Sequence, residues 1–127
     1  MGQLWFEDGQ NLPLHRSELQ QVAMSMLAAR RALQGALPPS LTHDVPLGIM
    51  LTLYLAEPTG ASIASLADEA TVPASSVARW LSSLVSENLI VITGGAATVS
   101  AFGLDRMDDL LSRVIRSQRA LMGWDQH

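Results

Sequence analysis

The sequence predicts a mainly α fold with a single small β-hairpin, and three observations carry that prediction. Apolar residues recur in steps of three and four along most of the 127 residues. The period changes once, where two runs rich in β-branched residues flank Gly94-Gly95. Proline and glycine punctuate the chain at intervals that suit helices.

The first element is an amphipathic helix from Pro13 to Gly35, whose stripe comprises Leu19, Val22, Met26, Ala29, Leu33 and Ala36. Gly35, Pro38 and Pro39 end it and open a polar linker, Ser40 to Asp44. Asp44 is placed to cap the free amides of a second helix, about Leu47 to Glu57, with Pro46 suited to its first turn. Pro58 and Gly60 stop that helix. A short third helix, Ser62 to Ala70, has Ser62 as its cap and turns Ile63, Leu66, Ala67 and Ala70 to one face. After the turn Thr71-Val72-Pro73, a fourth helix from Ala74 to Glu87 carries Val77, Trp80, Leu81 and Leu84 inward, and Asn88 ends it in a left-handed cap. The runs Leu89 to Thr93 and Ala97 to Ala101 then pair across Gly94-Gly95, which supplies the positive φ angles of a tight turn. From Leu104 the helical period returns through Met107, Leu111, Val114, Gln118 and Leu121.

Composition narrows the chemistry. The hydrophobic content of 48% and the length suit one globular domain. With no cysteine there are no disulfides, thiolate metal sites or cysteine nucleophiles. All eight basic residues are arginine, which excludes lysine Schiff-base chemistry and a Walker-type phosphate loop. His15, His43 and His127 are scattered without metal-ligand spacing, so neither a catalytic residue, a metal nor a cofactor is expected, and the chain does not read as an enzyme. The most apolar stretch, Val45 to Ala56, is short of the ~20 residues of a membrane span, and the N-terminus has no secretory pattern. A cytoplasmic location is the expectation.

Helix, helix, turn, helix and two-strand hairpin is the order of a winged helix-turn-helix, here flanked by long N- and C-terminal helices. Ala67 is small enough for close approach of the two motif helices, Val72 is the buried residue of the turn, and Val77 and Trp80 anchor the second helix. Thr71 stands where such a turn favours glycine. The stretch from Ser62 to Ala70 resembles the first motif helix of the MarR-like winged-helix transcription regulators. Val72 to Leu81 resembles their recognition helix, and Leu84 to Ile90 the step into their wing. The resemblance covers about residues 45 to 103. It implies three parts: an N-terminal arm, dimerisation helix and linker over 1–44, the winged helix-turn-helix over 45–103, and a C-terminal dimerisation helix and tail over 104–127. It also implies a homodimer that presents two recognition helices to double-stranded DNA.

With the apolar residues of the fourth helix inward, its early outer face consists of Ala74, Ser75, Ser76, Ala78, Arg79 and Ser82. Small residues let the backbone approach DNA, serine hydroxyls bond phosphates or base edges, and an arginine can take guanine in a bidentate contact. Charge opposes this. Residues 60–101 hold Arg79 against Asp68, Glu69 and Glu87, a net charge of −2, and the hairpin turn Thr93-Gly94-Gly95-Ala96 is uncharged. Six of the other arginines, Arg30, Arg31, Arg106, Arg113, Arg116 and Arg119, read as helix-surface residues that pair with nearby carboxylates.

A winged helix needs about half of this chain, so the terminal helices require a partner for their stripes. Leu19, Val22, Met26, Leu33, Leu104, Met107, Leu111, Val114 and Leu121 are the expected dimer interface. Trp5, Phe6, Trp124, Met24, Met26 and Met50 are candidates to line a pocket for a small apolar effector. The expected function is a dimeric, sequence-specific DNA-binding regulator. The alternative, favoured by the acidic charge, is a winged-helix protein-interaction module without DNA binding.

Overall fold

The computed structural model describes residues 14–37 and 44–121. Among them lie five helices and a small antiparallel sheet, in the order α1 (Arg16–Ala36), α2 (Val45–Leu55), β1 (Ala61–Ser62), α3 (Ile63–Ala70), α4 (Ala74–Ser86), β2 (Ile90–Thr93), β3 (Ala96–Val99) and α5 (Ala101–Leu121). The helix α2 is apolar on every side, and a helix without a polar face has to lie inside. Gly48, Ile49, Met50, Leu51, Leu53 and Tyr54 are all buried, and α1, α3, α4, α5 and β3 pack around them.

Both long helices close over this centre. The buried stripe of α1 is Leu19, Ala23, Leu27 and Arg30, displaced from the expected one; Val22 and Met26 are half-buried beside it, and Ala29, Leu33 and Ala36 are exposed. The steps of three and four fitted both tracks, and packing against α2 and α5 selects the one containing Ala23. On α5 the buried residues are Gly103, Met107, Leu111 and Ile115. Leu104 and Val114 are half-buried, Gln118 is exposed, and Leu121 is 87% exposed. Leu19, Met107 and Leu111 are therefore taken up by the chain's own core, which corrects their assignment to a dimer interface. A single chain offers these stripes more core than its length suggests, because α2 accepts neighbours on all sides.

One polar cluster locks the three helices. The Arg16 guanidinium bridges both carboxylate oxygens of Asp108, at 2.6 and 3.1 Å, and also donates to the Tyr54 hydroxyl. Tyr54 in turn donates to Asp108 Oδ1 at 2.9 Å. Burial, reinforced by Asp108, pushes the Tyr54 hydroxyl up to about 12. The carboxylate bond raises the Arg16 pKa further above its ordinary value.

Asp44 does precede α2, with Pro46 in the first turn, but its side chain caps no amide. Arg30 takes both carboxylate oxygens instead, at 2.7 and 2.8 Å, and donates to the Asp44 carbonyl at 2.9 Å. This pair holds the Asp44 carboxyl below its ordinary range.

The hairpin forms as expected, with Gly94 and Gly95 at φ 58° and 83°. The sheet gains a third strand in the order β1-β3-β2, with Ala61 opposite Ala97 and Ser62 opposite Ala96. Two residues carry too little periodic signal to reveal β1. The second run ends earlier than expected, because Ser100 leaves the strand: its Oγ accepts from Gly103 N–H at 2.8 Å and donates to the Asn88 carbonyl at 2.6 Å. Ala101 consequently opens α5 and is not a strand residue. No helix among the described residues is long and apolar enough to cross a membrane.

Candidate nucleic-acid interface

The surface in question is built by α3, α4 and the turn between them. Ser62 starts α3 by accepting from Ser65 N–H at 3.1 Å, as its position suggested. The helix ends where Thr71 adopts φ 56°, ψ 41°, which lets Val72 N–H reach back to the Ala67 carbonyl at 3.3 Å. Asn88 ends α4 by the same device, with φ 64° and a bond from Leu89 N–H to the Leu84 carbonyl at 3.0 Å. Asparagine tolerates this backbone; threonine, β-branched, adopts it only at a cost.

Helix α4 buries Val77, Leu81 and Leu84. Ala74, Ser75, Ala78, Arg79 and Ser82 are exposed, and Ser76 is half-buried at the margin. Ser75, Arg79, Ser82 and Ser86 follow each other at spacings of four, three and four, which makes one outward stripe. Ser86 is partly committed, since its Oγ donates to the Ser82 carbonyl at 3.0 Å. Trp80, expected as an inward anchor, is instead 41% exposed. Its place in the stripe of Val77, Leu81 and Leu84 is at the edge, and the core closes on those three without it.

Charge separates Arg79 from most other arginines. Arg16, Arg30, Arg31, Arg113 and Arg119 pair with Asp108, Asp44, Glu69, Asp109 and Glu18 respectively. Arg79 and Arg106 have no such partner among the described residues. Glu69 of α3 is neutralised from another helix by Arg31 of α1, whose Nε lies 2.7 Å away. The outer surface of α3 and α4 therefore faces solvent with one arginine against two carboxylates, Asp68 and Glu87, a milder imbalance than the linear sequence shows. Only tertiary contact reveals that pairing, which spans 38 positions.

The hairpin is uncharged and apolar at its margin, where Val91 and Ile92 are 47% and 48% exposed. Elsewhere, a cleft of about 540 Å³ opens between α1 and α5, lined by Val22, Ile115 and Leu121 with Gln21, Gln118 and the Glu18–Arg119 pair. The methionines expected at a pocket do not line it: Met24 points to solvent, Met50 is buried in the core, and Met26 is half-buried. Trp5, Phe6 and Trp124 lie outside the described residues, as do His43 and His127. His15 is exposed ahead of α1, its N–H donating to Glu18 Oε1 at 2.9 Å. No group of three or more acidic or histidine side chains that could hold a metal ion occurs among the described residues.

Compared with known proteins, the chain matches no protein-family model, no curated protein and no solved structure.

Proposed function

We propose that the chain is a winged helix-turn-helix transcription regulator of MarR-like type that binds double-stranded DNA as a dimer, with α4 as its recognition helix and β2–β3 as its wing. The observation that carries this reading is the outward stripe of α4: Ser75, Arg79 and Ser82 exposed together, with Arg79 paired to no carboxylate among the described residues. A guanidinium without an internal partner is available for a bidentate contact to guanine, and the flanking serines and alanines keep the helix surface low enough for the groove. One copy brings too little positive charge for tight binding, so two copies are required. The cleft between α1 and α5 falls within the size range of small-molecule sites and is the candidate place for an effector.

Selection of bound fragments from random duplex DNA at low salt tests this reading. Enrichment of a two-fold symmetric sequence is the expected result, and Arg79→Ala should weaken that binding by about 1–3 kcal/mol and relax preference at one position of each half-site. No enrichment, or an Arg79→Ala variant that binds unchanged, overturns it. A second reading, a winged-helix module that holds a protein partner, is favoured by the exposure of Trp80, Val91 and Ile92, apolar groups that a phosphate-facing surface has no use for.

A further inference from the structure

The strand β2 lies at the edge of the sheet, because the order is β1-β3-β2. Thr93 and Ala96 flank a two-residue turn and so exchange both hydrogen bonds. Bonded pairs alternate along an antiparallel ladder, so Val91 and Thr98 are the next bonded pair. The main-chain groups of Ile90 and Ile92 therefore point away from β3. Neither residue makes a main-chain hydrogen bond outside the sheet among the described residues.

Edges of this kind are ordinarily guarded by lysine, proline, a bulge or a covering element. Here Val91 and Ile92 stand half-exposed, and residues 88–104 carry no charge at all. The chain as a whole has a net charge of −4, so two copies repel over much of their surface. At β2 they meet without that cost.

We propose that two copies of the chain join along β2, antiparallel, in a single continuous sheet with Val91 on the two-fold axis. The hydrogen-bond pattern allows this register, and the exposed side chains select it. The outward-pointing groups of Ile90 and Ile92 bond each other across the junction, Ile90 of one copy opposite Ile92 of the second. Val91 then faces Val91 of the second copy in the closely spaced, non-bonded position, where β-branched side chains pack best. The same register sets Ile92, half-exposed on the inner face of the sheet, beside Ile90 of the other copy. Both exposed apolar residues are thus covered by one arrangement. A two-fold contact of this kind is closed and consumes the β2 edge of both copies, so it stops at the dimer. This inference rests on the dimeric part of the reading above, moves the contact from the long helices to β2, and is independent of DNA binding.

The chain has no cysteine, which permits a direct test of register. Under mild oxidation Val91→Cys should convert to a species of doubled mass, since only a residue on the axis meets its own equivalent at disulfide distance. Thr93→Cys and Ser82→Cys should stay single under the same treatment. Light scattering should show the wild-type chain as a dimer and Ile92→Lys as a folded monomer, with unchanged helical circular dichroism and lost amide protection at Ile90 and Ile92. A Val91→Cys chain that remains single, or cross-linking alike at all three positions, overturns the proposal. So does a dimer that survives Ile92→Lys and is broken by Leu121→Lys, which would place the contact on the long helices. Intact cross-linking without DNA selection would overturn the regulator reading and leave this one standing.

Discussion

A side chain at Gly48 would occupy the place of the Arg30 guanidinium: a Cβ built there stands 2.3 Å from Arg30 Nη1 and 2.7 Å from Cζ. The missing methyl is what lets a buried arginine lie across the first turn of α2 and reach Asp44. Glycine inside a helix ordinarily costs about 1 kcal/mol against alanine, so Gly48→Ala would stabilise an unencumbered helix. Here we expect the opposite sign, a loss of about 1 kcal/mol in urea denaturation, because the guanidinium is displaced and its partner exposed. The Asp44 carboxyl, followed by NMR, should return to its ordinary range in the same variant.

Thr71 holds a left-handed backbone that penalises a β-branched residue. Thr71→Gly should raise stability by about 0.5–1 kcal/mol, the relief of strain being partly offset by the freedom glycine gains in the unfolded chain and by the loss of the Thr71 hydroxyl bond to the Ala70 carbonyl. Equal or lower stability of the glycine variant would show that the strain at Thr71 does not exceed those two losses.

Gly103 packs against main chain, not against a flexible tip. A Cβ there would lie 2.0 Å from the Leu89 carbonyl oxygen. Neither group can move without separating α5 from the end of α4, so Gly103→Ala should cost about 3 kcal/mol in thermal or urea unfolding.

Leu111 is fully buried and Leu121 is 87% exposed, although both belong to one apolar series in the sequence. Leu111→Ala should cost about 2–5 kcal/mol, and Leu121→Ala should stay within about 0.5 kcal/mol. Comparable losses at the two positions would mean that α5 is stabilised through a partner chain.

The pH dependence has two predicted arms. Tyr54 titrates higher in the folded protein, at about 12, than its ordinary 10.0, so its contribution is fully present below pH 10 and is lost as pH rises toward 12. Asp44 titrates lower than its ordinary 3.8, so its contribution is present above that pH and is lost as pH falls through the folded value. Denaturation curves of Tyr54→Phe should lack the alkaline loss, and those of Asp44→Asn part of the acid loss.

The local pattern determined much of this molecule. The Gly94-Gly95 hairpin, the Ser62 cap and the left-handed Asn88 follow from residue chemistry over a few positions, and so does the set of small residues with Arg79 on α4. Those features depend on neighbours in the chain. What tertiary structure decided depends on contacts the period cannot encode. A stripe at steps of three and four says that a helix has an apolar side but leaves its rotation free by one residue, and α2 settled it by receiving Ala23 and Leu27. Leu19, Met107 and Leu111 went into the core because an all-apolar helix accepts packing on every side. Trp80 went outward because Val77, Leu81 and Leu84 filled the available space. The charge of the α3–α4 surface was set at a distance, by Arg31 reaching Glu69 from another helix, since electrostatic pairing follows proximity in space and not order in the chain.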